Sequence, residues 1–309
     1  MEFFLHFFEL IGVKILAAVE ESRISGTICG GLNLTFIALI TKSEKPLSFV
    51  DFRPISLCNL LYKVIKKVLA NRLKPVLSLV LSKNQFGFLE NKQIMDAVGI
   101  AQEAFHSMKF KKKKGIVLKL DLHKAYDCIR WDFLRLLLLQ IGLSLASINW
   151  IMGCVTSMTF AAIINGTPSS FFKSTRGVRQ GCPLSPLLFV LIMEGLSLLL
   201  IEAQVAGKFL GVSVERIIKI FHILFVDDVL IMNVALVEEW VIIQDCLKIF
   251  ENVVGLTINL KKSIVYWIGL NSDELRRFKE LLPYQFHQLD EGLKYIGCFI
   301  KPVSYRIAN

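Results

Sequence analysis

The sequence predicts an α+β fold, in which an antiparallel sheet is backed by helices. Short β-branched apolar segments are interspersed with longer segments whose apolar residues recur at helical spacing. Two of the short segments end in acids, at Asp121 and at the adjacent pair Asp227 and Asp228. The 309 residues are 54% hydrophobic, which is enough for a substantial core. One mixed domain with acids along one edge of its sheet is the simplest interpretation.

Periodicity and turn residues predict the elements of the first half of the chain. Helices are expected at residues 1–22, 57–81 and 94–108, with Pro75 interrupting the second of them, and a strand is expected at 32–41. Residues 115–122 are a short β-branched run, which predicts a buried strand ending in an acid. A further helix is expected from there through Leu139.

The second half contains two turn signals and one long apolar helix. Asn165 and Gly166 lie between the apolar segments 160–164 and 171–173, which predicts a hairpin. Ser185 as N-cap and Pro186 at the first helical position begin a helix that runs to residue 206. The acidic pair separates two apolar runs, which predicts a hairpin with both acids at its tip. The remaining expected elements are a helix at 240–254 and strands at 257–268 and 293–300.

The charge balance indicates a polyanionic partner. Lys and Arg exceed Asp and Glu by 36 to 26, a formal charge of +10. The basic residues are spread along the chain, and only residues 109–114 form a dense run. That run either follows a phosphate backbone or is a solvated loop, and the sequence leaves both interpretations open.

The cysteines and the first residues bear on the compartment. The seven cysteines are odd in number, lie far apart, and show neither zinc-site spacing nor a small disulfide framework. The first residues lack the basic lead of a signal peptide. We therefore expect a reducing compartment, nuclear or cytoplasmic.

A membrane protein is the alternative that the hydropathy raises. Mean hydropathy is +0.55, and no charged residue occurs between Arg135 and Lys173. Glycine, proline and asparagine divide that stretch into pieces too short to span a bilayer. The apolar run 184–201 is long enough, but it contains Glu194 near its centre. No membrane association is expected, and a polytopic membrane protein remains the alternative.

The three aspartates suggest a metal site. Adjacent carboxylates such as Asp227 and Asp228 repel each other in apolar surroundings, and they take up protons unless a cation neutralises them. The ordinary alternative is an exposed Asp-Asp turn. Asp121 ends a second apolar strand, and if the two strands lie side by side, the three carboxylates meet. Two Mg²⁺ ions in a phosphoryl-transfer site need few protein carboxylates, so three are sufficient.

Three segments now carry a resemblance to a known family. KLDLHKAYD (119–127), RGVRQGCPLSP (176–186) and FVDD (225–228) resemble, in order and spacing, successive motifs of reverse transcriptases. NQFGF (84–88), GLTINLKKS (255–263) and LKYIG (293–297) extend the resemblance, which covers roughly residues 22–300. Among reverse transcriptases, the sequence most resembles those of non-LTR retrotransposons, in particular the long interspersed elements of plants.

The resemblance implies a right-hand polymerase fold with fingers and palm, an antiparallel palm sheet backed by helices, and a truncated thumb. The implied domains are an N-terminal helical lead-in at 1–31, fingers and palm at 32–270, and the primer-grip region with the start of the thumb at 271–309. The implied activity is RNA-directed DNA synthesis from dNTPs on an RNA template with a DNA primer.

The resemblance also implies roles for individual residues. Asp121, Asp227 and Asp228 would hold two Mg²⁺ ions, with Mn²⁺ as an alternative. Tyr126 would exclude a 2′-hydroxyl as a steric gate, although a core aromatic is the ordinary reading of a helical tyrosine. Gln180 would line the nucleotide and the template.

Further residues have weaker implied roles. Gly181 would let backbone approach the nucleotide closely. Lys262 would protonate the leaving pyrophosphate or is simply solvated, and Arg179 would contact phosphate or lie on the surface. Arg53 and Lys92 would contact the template or the triphosphate.

Some positions depart from the family pattern. The segment Glu90-Asn91-Lys92 replaces a usual Gly-Arg pair, and lysine offers phosphate only a point charge. Val226 replaces a more usual alanine. The resemblance ends soon after the primer grip and includes no endonuclease ahead of the polymerase, so the full insertion cycle of an element is not expected of these residues alone. Weak, poorly processive extension is therefore expected, and the alternative is a catalytically inactive nucleic-acid-binding remnant.

Overall fold

The computed structural model describes residues 6–42, 44–90, 92–214 and 218–302, and in this part of the chain helices and strands are mixed as predicted. The chain forms two compact units, each built from two segments. Unit 1 comprises Met1–Val76 and Tyr126–Leu188, and unit 2 comprises Leu77–Ala125 and Phe189–Asn309. The predicted boundaries at residues 31 and 270 concern family regions and remain predictions.

The elements are numbered in chain order. The helices are α1 (Phe8–Ser25), α2 (Leu60–Val80), α3 (Ile94–Phe110), α4 (Ala125–Cys128), α5 (Trp131–Gln140), α6 (Leu145–Thr156), α7 (Ser185–Val205), α8 (Val237–Val254) and α9 (Ser272–Leu281). The strands are β1 (Leu34–Thr41), β2 (Phe52–Cys58), β3 (Gly115–Leu120), β4 (Thr159–Ile164), β5 (Thr167–Pro168), β6 (Phe172–Lys173), β7 (Val212–Ser213), β8 (Lys219–Ile220), β9 (His222–Phe225), β10 (Asp228–Val234), β11 (Ile264–Ile268), β12 (Gln285–Gln288), β13 (Leu293–Tyr295) and β14 (Cys298–Ile300).

The sheet of unit 1 has the strand order β2-β1-β4-β5, and β6 also pairs with β4. β1 runs antiparallel to β2 and parallel to β4. The predicted hairpin at Asn165 and Gly166 is confirmed: both residues have positive φ, at 51° and 80°, as a two-residue turn of type I′ requires.

Helix α6, which the sequence analysis did not identify, packs tightly against the end of α1. A Cβ on Gly153 would lie 2.0 Å from the carbonyl oxygen of Gly26, so only glycine fits at this crossing. Nearby, Trp150 Nε1 donates a hydrogen bond to Ser22 Oγ at 3.1 Å. The absence of a side chain at residue 153 thus lets the two backbones approach.

The sheet of unit 2 has the strand order β12-β11-β3-β10-β9, which puts β3 at its centre. β3 is antiparallel to both of its neighbours. Val117 and Leu118 are fully buried there, and Val117 belongs to a core that includes Phe105 and Met108 of α3. A continuous apolar strand covered in this way explains why the sequence of β3 shows no alternation of polar and apolar residues.

Within unit 2, a buried polar network connects α7 with β9 and with the loop that precedes α3. Glu194 accepts hydrogen bonds from the backbone nitrogen and the hydroxyl of Ser82, at 2.9 and 3.1 Å. Ser197 Oγ lies 2.8 Å from both Ser82 Oγ and His222 Nε2. Burial raises the pKa of Glu194 to about 7, and burial lowers the pKa of His222 to about 3.

In the described residues, α7 is the helix that is long and apolar enough to cross a membrane. Its most apolar window is 67% buried inside the protein, and a core helix meets the same criterion. A single such helix is weak support for the polytopic membrane alternative.

Several predicted elements differ from the observed ones. Residues 57 and 58 end strand β2 rather than beginning a helix, and α2 continues through Pro75, with Leu73 and Leu77 buried on either side of it. Residues 257–263 are a loop rather than the first half of a strand. Residues 293–300 form the hairpin β13–β14 instead of one strand, because Ile296 and Gly297 both have positive φ.

Two smaller differences concern helix ends. Ser185 is the first residue of α7, and its buried hydroxyl has no hydrogen-bond partner, so the predicted N-cap is wrong. The helix predicted from residue 123 to 139 is divided into α4 and α5. Of the N-terminal segment, residues 1–5 lie outside the described residues.

Gly153→Ala tests the helix crossing of unit 1. The added methyl group has no room beside Gly26, so we expect a loss of about 1–3 kcal/mol in the free energy of unfolding. The matched control is Gly99→Ala in α3, where a Cβ meets no heavy atom within 4 Å and a helical alanine is favoured by up to about 1 kcal/mol. Denaturant unfolding measures both, and equal stabilities would contradict the close packing.

Glu194→Gln tests the buried carboxyl. Because its pKa in the folded state is raised to about 7, the folded protein binds the proton more tightly than the unfolded chain does. Stability from this group is therefore full below about pH 4.5 and declines as pH rises to about 7, by roughly 1–3 kcal/mol. His222, with its lowered pKa, makes stability rise with pH. The effect of Glu194 is therefore measured as the difference in stability between wild type and variant at each pH. Glutamine should remove the decline, whereas Glu202→Gln, at an exposed position of the same helix, should leave it.

Candidate active site

The acidic pair lies on the β9–β10 hairpin of unit 2. Asp228 pairs with Phe225, which leaves Val226 and Asp227 as a two-residue turn. The tip is thus Val226 and Asp227, and Asp228 is the first residue of β10, a correction to the expected Asp-Asp tip. Val226 has φ +59°, a conformation that strains a β-branched residue by about 1–3 kcal/mol.

The loop before α3 supports this strained turn. We call residues 82–89 the strap. The side-chain oxygen of Gln85 accepts hydrogen bonds from the backbone nitrogens of Gly87 and Val226, at 2.9 and 3.3 Å. The strap also pairs with β9, since Phe86 donates to the carbonyl of Leu224 and Leu224 donates to that of Asn84, both at 2.8 Å.

Gly87 lies directly against the turn. A Cβ at this position would lie 2.4 Å from Val226 Cγ2 and 2.9 Å from the Val226 nitrogen. Sequence analysis assigned no role to Gln85 or Gly87. The motif NQFGF was the available signal, because a glycine between two aromatic residues suggests a close backbone approach.

Asp121 follows β3 in the same unit. The last β3–β10 pair is Leu120 with Val229, so one further step along this register puts Asp121 opposite Asp228. Asp121 Oδ2 accepts a hydrogen bond from Asn259 Nδ2 at 3.0 Å. The backbone of Asp121 also bonds to this loop, through the Ser263 hydroxyl and the Asn259 nitrogen. The loop at 257–263, predicted as strand, therefore orients the first carboxylate.

The three carboxylates influence one another electrostatically. Burial raises the pKa of Asp227, and the charge of Asp121 adds to the rise. Burial also raises the pKa of Asp228, with a further contribution from Asp227, while Lys119 opposes it. The Lys119 ammonium is itself bound to the carbonyl of Lys294 at 2.6 Å. Partly buried carboxylates with raised pKa values favour a bound cation.

The donor set fits a hard divalent cation. Carboxylate oxygens are ligands that such ions prefer. Within the described residues, no three His, Cys, Asp or Glu side chains surround one point as a ready single-ion cage. Mg²⁺ commonly takes only one or two carboxylates and completes its shell with water and phosphate oxygens, so three neighbouring aspartates are sufficient for ions that share them.

The RGVRQG segment in unit 1 is anchored on the residues that follow Asp121. Val178 donates a hydrogen bond to the carbonyl of Tyr126, and Trp131 Nε1 donates to that of Gly177, both at 2.7 Å. Gly177 has φ +86°, and a Cβ there would lie 2.7 Å from the Asp127 carbonyl oxygen. These contacts bring Tyr126 and the 176–181 segment together, and Gly177 is the glycine that the close approach requires.

Gln180 and Gly181 are both exposed. Gln180 lines a cavity of about 220 Å³ within unit 1, together with Pro54, Phe160 and Arg176. Gly181 has φ +81° and open space where a Cβ would lie. Gln180 and Gly181, two of the residues to which the resemblance gave a nucleotide-binding role, are thus accessible in their own unit.

Arg179 is neither a surface residue nor a free phosphate ligand. Its side chain is buried, and its guanidinium donates to the carbonyl and side-chain oxygens of Asn33, at 3.1 and 2.9 Å. It also stacks over the rings of Tyr62 and Phe160. The structure therefore corrects the expectation of a phosphate contact.

The remaining candidates differ in accessibility. Arg53 is exposed on β2. Lys262 is exposed on the loop that holds Asp121, and its backbone nitrogen donates to Asn259. The ammonium of Lys92 bonds instead to three backbone carbonyls of the strap.

The lysine run is partly used within unit 2. Lys109 pairs with Asp290 and Lys114 with Glu274, both at 2.6 Å. Lys111 bonds to the carbonyls of Ser213 and Val214. At least three lysines of this run thus have partners within unit 2, and both interpretations of the run remain predictions.

Comparisons with known proteins agree with this geometry. Residues 40–299 match the family described as "Reverse transcriptase (RNA-dependent DNA polymerase)". The chain is 25% identical over 315 residues to the transposon TX1 uncharacterized 149 kDa protein of Xenopus laevis, covering 100% of this chain and 23% of that protein. It is 26% identical over 281 residues to a retrovirus-related Pol polyprotein from the retrotransposable element R2 of Popillia japonica, covering 84% and 37%.

A solved structure supports the fold. A telomerase from Candida tropicalis superimposes with a TM-score of 0.54 at 14% identity, covering 80% of this chain and 52% of that one. The predicted right-hand polymerase fold is confirmed, while the plant subtype stays a prediction. The chain spans 23% and 37% of the lengths of the two curated relatives described above. It belongs to the reverse transcriptase family, RNA-directed DNA polymerases that use a divalent metal, as a domain of the non-LTR retrotransposon type.

Proposed function

We propose that Asp121, Asp227 and Asp228 form the nucleotidyl-transfer site of this domain and hold two Mg²⁺ ions, with Mn²⁺ as a substitute. The observation that carries the proposal is that the β3–β10 register puts Asp121, just after β3, opposite Asp228, while Asp227 and Asp228 are partly buried with pKa values raised by burial and by neighbouring carboxylates. The substrates we propose are dNTPs and a DNA primer on an RNA template, in the nucleus or cytoplasm.

Bound ions of this kind lower the barrier for attack by the primer 3′ oxygen and stabilise the leaving pyrophosphate. The task of the protein is to hold the carboxylates rigidly in their ionised form. Asn259 does this for Asp121 through the 3.0 Å bond to Oδ2. The strap does it for Asp227, since Gln85 and Gly87 fix the backbone of the preceding residue.

The nucleotide-facing roles are proposals supported by placement. Tyr126 would act as the steric gate against a 2′-hydroxyl, and Gln180 and Gly181 would line the nucleotide and template. Tyr126 and the segment with Gln180 are held together by the Val178-to-Tyr126 hydrogen bond. Arg53, which is exposed, would contact the template or the triphosphate. Lys262, which is also exposed, would protonate the leaving pyrophosphate.

Asp227→Asn tests the metal site. The purified protein is offered an RNA template, a DNA primer, dNTPs and Mg²⁺, and extension is measured. We expect a loss of at least about 100-fold, because a lost metal ligand removes several kcal/mol of transition-state stabilisation. The matched control is Asp245→Asn, an exposed aspartate on α8, which should extend as wild type does.

Two outcomes would contradict the proposal. Equal extension by Asp227→Asn and wild type would move the chemistry to another site. Salt-sensitive binding of primer-template by a wild-type protein that extends nothing would favour the non-catalytic remnant, because binding through phosphates weakens as salt rises.

Gly87→Ala tests the support of the turn. Its methyl group has no room beside Val226, so we expect extension to fall roughly 10- to 100-fold, as a displacement of about 1 Å at an active site does. Gly99→Ala is the control. Val226→Ala in the Gly87→Ala background removes the contact at 2.4 Å but keeps the one at 2.9 Å, so only partial recovery is expected. Full activity of Gly87→Ala in the primer-extension assay would show that the turn tolerates displacement.

A further inference from the structure

The ammonium group of Lys92 is fully occupied by the strap. It donates to the backbone carbonyls of Gln85, Lys83 and Ser82, at 2.6, 2.9 and 3.3 Å. A lysine ammonium has three protons to donate, so each one has an acceptor here. The same group lies 4.8 Å from the ring centroid of Phe86, a residue of the same strap. A triphosphate could be bound by this group only after these bonds were broken.

The acceptors of Lys92 lead directly to the catalytic turn. Gln85 receives the shortest of the three bonds on its backbone, while its side-chain oxygen accepts from the Val226 nitrogen. The flanking residues Asn84 and Phe86 are paired with Leu224 of β9. Fixing the backbone of Gln85 therefore also fixes where its amide meets the turn.

The other end of the strap is held by α7. Glu194 accepts from both the nitrogen and the hydroxyl of Ser82. The charges of Lys92 and Glu194 act on each other, since each opposes the effect of burial on the pKa of the other. A half-buried cation and a buried acid thus hold one short loop from two sides. Without such partners, burial of either charged group would cost much more free energy.

We propose that Lys92 is a positioning residue for the catalytic turn, acting by pinning the strap through the carbonyls of Ser82, Lys83 and Gln85, and that it is not a ligand of the incoming triphosphate. This replaces the role that the family resemblance implied for it. The proposal rests on the assignment of the Val226–Asp227 turn to the active site.

Lys92→Met removes the three donors while it keeps most of the apolar stem. Lys83→Met is the matched control, because it deletes the same charge from an exposed side chain of the same strap. Hydrogen exchange is measured at the amides of Val226, Leu224 and Phe86, the three that bridge the strap and the hairpin. We expect exchange at least about tenfold faster in Lys92→Met and wild-type exchange in Lys83→Met.

Steady-state kinetics with varied dNTP separate positioning from binding. A positioning role predicts a kcat that is lower by roughly 10- to 100-fold with the KM for dNTP within about twofold of wild type. A triphosphate contact predicts the reverse, a raised KM with a nearly unchanged kcat.

Lys92→Arg is the milder variant if Lys92→Met does not fold. It keeps the charge and several donors, so we expect intermediate exchange and an unchanged KM.

The outcomes divide clearly. Faster exchange at the three amides together with a kcat effect supports the positioning role of Lys92. Unchanged exchange, or a KM effect alone, overturns it. If wild-type protein extends no primer, the proposed function fails, and the exchange experiment still decides whether Lys92 holds the strap against the hairpin.

Discussion

The pairing of β3 with β10 is the constraint on which the rest of the candidate site depends. Two strands more than a hundred residues apart in sequence pair in one antiparallel register, and that register puts Asp121 opposite Asp228. A slip of one residue would turn every side chain of a strand to the other face of the sheet. The buried apolar side chains of both strands prevent such a slip, so the hydrophobic core sets the geometry of the carboxylates.

A strained turn then needs support from outside its own hairpin. Val226 adopts a positive φ that its branched side chain disfavours. The strap opposes relaxation by accepting the Val226 amide hydrogen on Gln85 and by placing Gly87 against the same residue. The strap is in turn held by Lys92, which donates to the Gln85 carbonyl, and by Glu194, which accepts from the Ser82 nitrogen. Rigid support of this kind is what a transfer site gains from residues that never contact the substrate.

Several basic side chains have partners within the protein. Arg179 is buried against Asn33, Lys92 is bound to the strap, and Lys109 and Lys114 pair with acids of unit 2. The net charge of +10 still favours a polyanionic partner. It overstates the number of cations that are available for phosphate, because a charge count does not distinguish a paired cation from a free one.

The sequence by itself determined the family and the α+β class, and it singled out the three aspartates as candidates for the site, because motif order and strand-ending acids are local properties of the chain. Most long helices and the two hairpin turns at Asn165 and Asp227 were also predictable, since helical periodicity and turn residues act over a few positions.

Only the tertiary structure decided how the remaining residues are used. The loop at 257–263 resembles a strand in sequence but holds Asp121, and α2 passes through Pro75 because burial on both sides outweighs the local penalty. The family resemblance implied phosphate contacts for Arg179 and Lys92, yet Arg179 bonds to the oxygens of Asn33 and Lys92 bonds to backbone carbonyls of the strap. Such contacts depend on which segments the folded chain brings together, and a pattern along the sequence does not specify this.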